Sequence, residues 1–351
     1  MIKRKIAIIG AGLTGLALYY FLKQDGIDCV LIEARKRVGG RIFTKYDKRF
    51  PPMEMGATWL DRSHIYIHRL LDELNLEAFP QKMDGKAFYE PDPRFPFQLV
   101  DLPVQAGSSK RIVGGSSKLI EALIDRVKPK DLYLDRRVLS IQKVEGGIQL
   151  EAASQSFMVE KLVSTLPPNL FAKTIKVHPE LPEDLLSVMR ATHMWMGESI
   201  RMAIAYASPF WREPKMSATV FSSAGPVVEL YDHSDAADHA FALSGFINSS
   251  FDALTKEERL KVILVQLQKY YGSAVYDYLS YEEVVWKNQP LTYIGYDKLV
   301  QAHKNNGHSM YNKSYLEDCL FITGTETAAR HPGYMEGALV SALEIFGRLK
   351  N

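Results

Sequence analysis

The sequence predicts an α/β protein of two domains, and three patterns predict it. A short apolar run, Ile6–Ile9, leads through a glycine cluster into a helix-periodic stretch, and a second apolar run, Cys29–Ile32, follows. In mid-chain, Ile200, Met202, Ile204 and Tyr206 alternate with Ser199, Arg201, Ala203 and Ala205, the period-two pattern of a strand with two unlike faces. A helical pattern with a glycine-rich start, Tyr334 to Leu349, comes last.

The first unit is a strand–helix–strand. Leu13, Leu16, Ala17, Tyr20 and Phe21 share one helical face, and Gly26 ends the helix. Both flanking strands are apolar throughout, which implies a parallel sheet covered on both sides. The stretch from Pro80 to Arg111, rich in proline, aromatics and glycine, reads as a long, mostly irregular excursion. Gly114 and Gly115 open a helix predicted to run through Val127. Short strands follow between Leu132 and Val163, with a hairpin turn at Gly146–Gly147, and Pro167–Pro168 ends the set. Further strands are predicted at Val227–Tyr231 and Ala240–Ile247, and the capping box of Thr255 with Glu258 starts a helix to about Tyr271.

Composition excludes several classes. In 351 residues, 46% apolar and 24% charged, with a formal charge of only +2, nothing draws the whole molecule to nucleic acid or an anionic membrane. Cys29 and Cys319 each sit in an apolar run and read as buried strand residues, not a disulfide or a metal site. Met1 to Lys5 runs straight into strand residues and no window is long and apolar enough to span a bilayer. The expectation is a soluble, cytoplasmic protein without a metal.

Chemistry enters with Gly10-Ala11-Gly12-Leu13-Thr14-Gly15, set between strand and helix. Gly10 permits the tight turn, Gly12 lets backbone approach a pyrophosphate, and Gly15 lets the helix pack close to the strand. Glu33 closes the second strand, where a carboxylate accepts from ribose hydroxyls. This context indicates a dinucleotide without choosing between NAD and FAD.

Four further segments make that choice: Arg35-Lys36-Arg37-Val38-Gly39-Gly40-Arg41, Met53-Glu54-Met55-Gly56-Ala57-Thr58-Trp59, Gly324-Thr325-Glu326-Thr327-Ala328 and Gly333-Tyr334-Met335-Glu336-Gly337-Ala338. Together they resemble the flavin-containing amine oxidase family, in a short form. The resemblance implies a two-domain, FAD-binding Rossmann-like fold of the amine oxidase and glutathione reductase kind, with a mixed-sheet substrate domain. It also implies that Gly10, Gly12 and Gly15 cradle the FAD pyrophosphate and that Glu33 holds the adenosine ribose. Arg35, Gly40 and Arg41 would line the ADP and ribityl path, and the Val138 backbone would meet adenine. Gly56 and Ala57 would pass beside the flavin ring, and Trp286 fits a tryptophan placed shortly before a flavin-facing tyrosine. Gly324 and Glu326 would border the ribityl-phosphate region, and the Met335 amide would face the flavin pyrimidine edge. By the same resemblance Tyr334 and Tyr296 would flank the substrate amine as an aromatic pair.

The sequence departs from the family pattern in three places. Gly295 stands where monoamine oxidases attach the flavin through a cysteine, so the FAD is expected to be non-covalent. Arg201 stands where many oxidases of the family carry a lysine near flavin N5; it keeps the charge and the donors but holds its proton. The alternation puts Arg201 on the small-residue face, able to point into a cavity. Before Val113-Gly114-Gly115 the family usually inserts a large helical segment, and here only the stretch from Pro80 to Arg111 is present, so a thinner roof is expected. Lys256 to Arg259 read as a solvated helix face, and His331 as a loop histidine near the pocket.

The FAD domain is expected from residues 1–78, 111–190 and 289–351, and the substrate domain from 79–110 and 191–288. The expected reaction is oxidation of a C–N bond of a small amine, with hydride transfer to flavin N5 and oxygen as acceptor. The alternatives are a flavin dehydrogenase, desaturase or dihydronicotinamide oxidase, and a flavin-binding protein without redox turnover.

Overall fold

The computed structural model describes residues 1–102, 109–212 and 216–350. Its first sheet is built around the Ile2–Ile9 strand, which pairs in parallel with Cys29–Ile32 on one side and Gln155–Ser164 on the other. Leu132–Tyr133 extends the sheet beyond Cys29–Ile32, and Leu320–Ile322 pairs in parallel with the end of Gln155–Ser164. An antiparallel meander, Val138–Val144, Gly147–Ala152 and Gln155–Ser164, forms the other wing, with the predicted hairpin at Gly146–Gly147.

Alternation along the central strand sorts the core into two layers. Ile6 and Ile8 face the helices Leu13–Gln24, Ile65–Glu73, Ser117–Ile124 and Met335–Lys350. Ala7 and Ile9 face the opposite side, where Phe171, Leu185 and Met189 of two shorter helices cover the sheet. Gly15 sets the spacing of the first layer: a Cβ there would stand 2.0 Å from the Gly10 carbonyl oxygen. Only a residue without a side chain lets the helix start lie this close to the strand end.

The second sheet has seven strands, in the order Tyr278–Val285, Ile200–Tyr206, Phe241–Ile247, Val227–Asp232, Met216–Ser222, Lys86–Glu90 and Gln98–Asp101. Ile200, Met202, Ile204 and Tyr206 pack on Ile263, Leu264 and Leu267 of the helix Lys256–Tyr271, which begins with the predicted capping box. Ala203 and Ala205, on the opposite face, meet Met53 and Met55. The small-residue face therefore looks toward the first sheet.

Three expectations are corrected. The stretch from Pro80 to Arg111 is not mostly irregular: Lys86–Glu90 and Gln98–Asp101 form a hairpin on the edge of the second sheet, and Lys110–Ile112 pairs with Ala78–Pro80. Residues 103–108 of that stretch lie outside the described residues. Cys319 precedes the Leu320–Ile322 strand and is partly exposed, because its strand is three residues long. Arg259 is not solvated. It is buried against Glu283 at 2.5 Å and donates to the carbonyls of Phe251 and Asp252, so the Lys256–Arg259 set splits between solvent and an inter-element ion pair. Among the described residues no helix is long and apolar enough to cross a membrane.

Gly15→Ala would gain about 1 kcal/mol in an open helix. Here overpacking against Gly10 is expected to dominate and to destabilise the fold by roughly 1–3 kcal/mol, read as a lower Tm. An unchanged Tm would show that the helix shifts freely.

Candidate active site

A cavity of about 440 Å³ joins the carboxyl ends of the first sheet to the small-residue face of the second. Gly10, Gly12, Glu33, Arg35 and Val138 belong to its first-sheet end; Trp59, Arg201, Glu229 and Phe246 belong to the second-sheet end. Open α/β sheets bind ligands at this place because strand ends leave a crevice between adjacent connections.

At the first-sheet end, Gly10 takes a φ of +101° and its Cβ would stand 2.6 Å from Thr165 Oγ1. A Cβ on Gly12 would meet only the Gly40 Cα, at 3.9 Å. The Gly12 backbone is thus open to whatever fills the cavity. Glu33 anchors the turn by accepting from the Ala11 amide at 2.8 Å and the Arg35 amide at 2.9 Å. Arg35 turns toward Leu291 and Thr292, and burial lowers its pKa. Arg41 lines the cavity and pairs at 2.6 Å with Glu326, whose side chain is 2% exposed. Gly15, Gly324 and Glu326 stand behind the lining: Gly15 spaces the helix, Gly324 lies 3.4 Å at its virtual Cβ from the Thr165 carbonyl oxygen, and Glu326 fixes Arg41. A glycine cradle, a helix start and a fixed guanidinium are the donors that an anionic pyrophosphate needs, and a carboxylate beside them is the acceptor that ribose hydroxyls need.

In the middle of the cavity Gly56 and Ala57 form part of the wall. Trp286 lines it too, its Nε1 donating to the Met55 carbonyl at 2.8 Å. The last helix starts at Met335, and Gly333, Tyr334, Met335 and Ala338 all face the cavity. Its first-turn carboxylate, Glu336, is turned away and accepts from the amides of Tyr66 and Ile67 at 3.0 and 2.9 Å. It therefore caps the helix Ile65–Glu73.

The second-sheet end is aromatic and holds a buried cation. Arg201 is 1% exposed. Its Nε donates to the Glu54 carbonyl and its Nη2 to Thr58 Oγ1, both at 3.2 Å, and its Nη1 is buried with no partner. The guanidinium lies over Trp59 at 4.5 Å and Phe246 at 4.4 Å. Burial pushes its pKa down to about 10, with Glu54 opposing, so it stays charged at neutral pH. Arg111, beneath the same region, is pushed to about 10 by burial. Burial and these two arginines hold His233 well below the usual histidine range. Glu54, desolvated, sits above the usual carboxylate range although Ser116 and Thr44 donate to it.

The structure does not bring Tyr296 to Tyr334. Tyr296 lies outside the lining, its hydroxyl accepting from the Met194 amide at 2.7 Å and donating to the Thr192 carbonyl at 3.2 Å. The aromatic neighbours of Tyr334 are Trp195, stacked with centroids 6.4 Å apart, and His64 at 5.7 Å. Tyr296 thus braces the segment that carries Trp195. His331 lies against His64 and away from the cavity wall. Sequence reasoning did not assign Trp195, Thr165, Glu229 or Phe246. Trp195 is in a loop without periodicity, and the other three reach the cavity only through strand pairing.

Comparison with known proteins gives the family and the fold. The family model described as "Flavin containing amine oxidoreductase" matches residues 13–108 and 96–345. A probable flavin-containing monoamine oxidase A of Dictyostelium discoideum is 23% identical over 452 aligned positions, covering 99% of this chain and 97% of that one. A putrescine oxidase of Kocuria rosea is 22% identical over 80% of this chain and 82% of its own. Among solved structures, a putrescine oxidase bound to putrescine superposes with a TM-score of 0.87 at 20% identity, covering 99% of each chain. Cyclohexylamine oxidase from Brevibacterium oxydans IH-35A gives 0.86 at 20%, covering 99% of this chain and all of that one.

Arg41→Ala would strand the buried Glu326 carboxylate and is expected to cost roughly 3 kcal/mol of stability, together with loss of bound flavin absorbance. A variant that keeps both its Tm and its flavin would show the pair to be dispensable.

Proposed function

The chain belongs to the flavin-containing amine oxidoreductase family and is an FAD-dependent oxidoreductase; from that premise we propose that it oxidises a C–N bond of a small amine. The reaction takes a hydride from the carbon next to nitrogen and a proton from nitrogen, leaving an imine that water hydrolyses. FAD, when bound, supplies the two-electron acceptor, with hydride taken at N5 and oxygen as the final acceptor, giving hydrogen peroxide.

The carrying observation is that one cavity joins the glycine cradle and Glu33 to an end walled by Tyr334, Trp195 and Trp59. Gly10, Gly12, Glu33, Arg35 and Arg41 would hold the cofactor's nucleotide part. Gly40, Gly56, Ala57, Val138 and Trp286 would shape the space around it, with Gly15, Gly324 and Glu326 supporting from behind. The flat faces of Tyr334 and Trp195 orient a neutral amine and exclude water from the carbon that loses hydride. The amides at the start of the Met335–Lys350 helix would present positive charge where electrons arrive, and the Arg201 guanidinium adds a fixed cation to the second-sheet end of the same cavity. Glu336, the carboxylate in that first turn, is turned from the cavity to the amides of Tyr66 and Ile67.

A second reading, a dehydrogenase reoxidised by a quinone or dye, is favoured by one feature: the buried cation of the cavity is Arg201, which holds its proton at neutral pH, where the family that the sequence resembles often carries a lysine. Mixing the anaerobic protein with primary, secondary and polyamines tests both. Bleaching of the flavin by an amine with fast recovery in oxygen supports the oxidase; bleaching with slow recovery in oxygen and fast recovery with a quinone supports the dehydrogenase. No bleaching by any amine overturns amine oxidation.

Tyr334, 43% exposed beside Trp195, also gives a prediction. Tyr334→Ala is expected to slow flavin reduction by about tenfold or more while leaving FAD affinity within about threefold. Lost FAD with intact reduction in the loaded fraction would make Tyr334 a structural residue.

A further inference from the structure

Three side chains form a row across adjacent strands of the second sheet. Arg201 pairs with Phe246, and Phe246 pairs with Glu229. All three line the cavity. The backbones of Arg201 and Glu229 are two strand spacings apart, about 10 Å.

The row holds a cation and a carboxylate in one pocket without a direct ion pair between them. The Arg201 guanidinium lies on the Phe246 ring, and it forms no ion pair with a carboxylate of the described residues. The nearest acidic residue along its hydrogen bonds, Glu54, offers it only a backbone carbonyl, because the carboxylate oxygens accept from Thr44 and Ser116. Nε and Nη2 are fixed by Glu54 and Thr58, so the plane of the fork is set and Nη1 is left facing no acceptor. A buried guanidinium without a direct ion-pair partner is costly, and a carboxylate is the planar partner its fork matches best. Glu229, partly buried, accepts only from the Tyr231 hydroxyl at 3.0 Å and has no ion-pair partner among the described residues. Between the two charges lies the apolar ring of Phe246, with Trp59 beside it at 6.1 Å.

We propose that this row selects an α-amino acid with a cationic side chain, its carboxylate on Arg201, its methylenes running past Phe246 and its distal ammonium on Glu229. The inference rests on the amine-oxidation reading and narrows it to one substrate class. Arg201 also hydrogen-bonds Thr58, next to Ala57 in the cavity wall. A carboxylate held there brings the neighbouring α carbon, and not the far end of the chain, to the part of the cavity where the cofactor ring is expected.

Four compounds separate the two charges: L-lysine, pentane-1,5-diamine, which lacks the carboxylate, L-norleucine, which lacks the distal ammonium, and pentylamine, which lacks both. The same four with one methylene fewer cover a shorter span. The holoenzyme is mixed anaerobically with each, and the half-saturating concentration for flavin bleaching is read. The diamino acid of one set is expected to saturate at a concentration at least about tenfold below each of its three analogues. Arg201→Met is expected to erase its advantage over the diamine, and Glu229→Gln its advantage over the neutral amino acid. A diamine or monoamine that saturates at an equal or lower concentration than the diamino acid overturns the proposal and leaves amine oxidation standing. So does an Arg201→Met variant that weakens all four compounds equally, which would assign Arg201 to the cofactor. If no amino acid and no amine bleaches the flavin, both readings fall. Should a variant lose its flavin, the wild-type comparison decides alone.

Discussion

The contact between Gly15 and Gly10 is the constraint on which the rest of the structure depends. It brings the start of the Leu13–Gln24 helix against the end of the Ile2–Ile9 strand. From there the positions of Glu33, Gly39 and Gly40 follow, because the Ala11 amide binds the Glu33 carboxylate and the Ala11 carbonyl accepts from the Gly39 amide. Arg41 comes next along the same segment and meets Glu326, which arrives from the far end of the chain. A side chain at one position of a six-residue turn would disturb this whole set.

Around that frame the molecule buries more ionisable side chains than a stable core requires. Arg201, Arg111, Glu54 and His233 are all nearly inaccessible and lie beneath one end of the cavity. Their carbonyl and hydroxyl partners satisfy most, not all, of their hydrogen-bonding capacity. Buried polar networks of this kind are strongly destabilising when incomplete. Here one of the unpartnered atoms, Nη1 of Arg201, belongs to a residue of the cavity wall.

Much of this was legible in the residues. The strand–helix–strand start, the capping box at Thr255 and the two faces of Ser199–Tyr206 follow from local chemistry, and the structure has them. The burial of Arg201 follows from its parity in the strand, since its neighbours Ala203 and Ala205 are small enough to leave room. What the residues did not reveal is pairing between distant segments. Glu229 and Phe246 join Arg201 only through strand register. Trp195 reaches Tyr334 because Gly333 lets the two segments touch, and Tyr296, placed beside Tyr334 by resemblance, braces the Trp195 segment instead. The hairpin at Lys86–Asp101 was hidden by prolines that lie between its strands and outside its ladder.

The first sheet and the cavity are completed by segments far apart in the chain. Leu320–Ile322 joins the sheet beside Gln155–Ser164, and Met335–Lys350 covers the Leu13–Gln24 helix. The second sheet, by contrast, closes within residues 86–285. During translation, where domains fold as they emerge, the second sheet is complete while the first sheet and its glycine turn still lack their cover. A chain that has emerged only as far as residue 320 would thus hold all the strands of the second sheet while the apolar face of the first sheet still lacks the Met335–Lys350 helix.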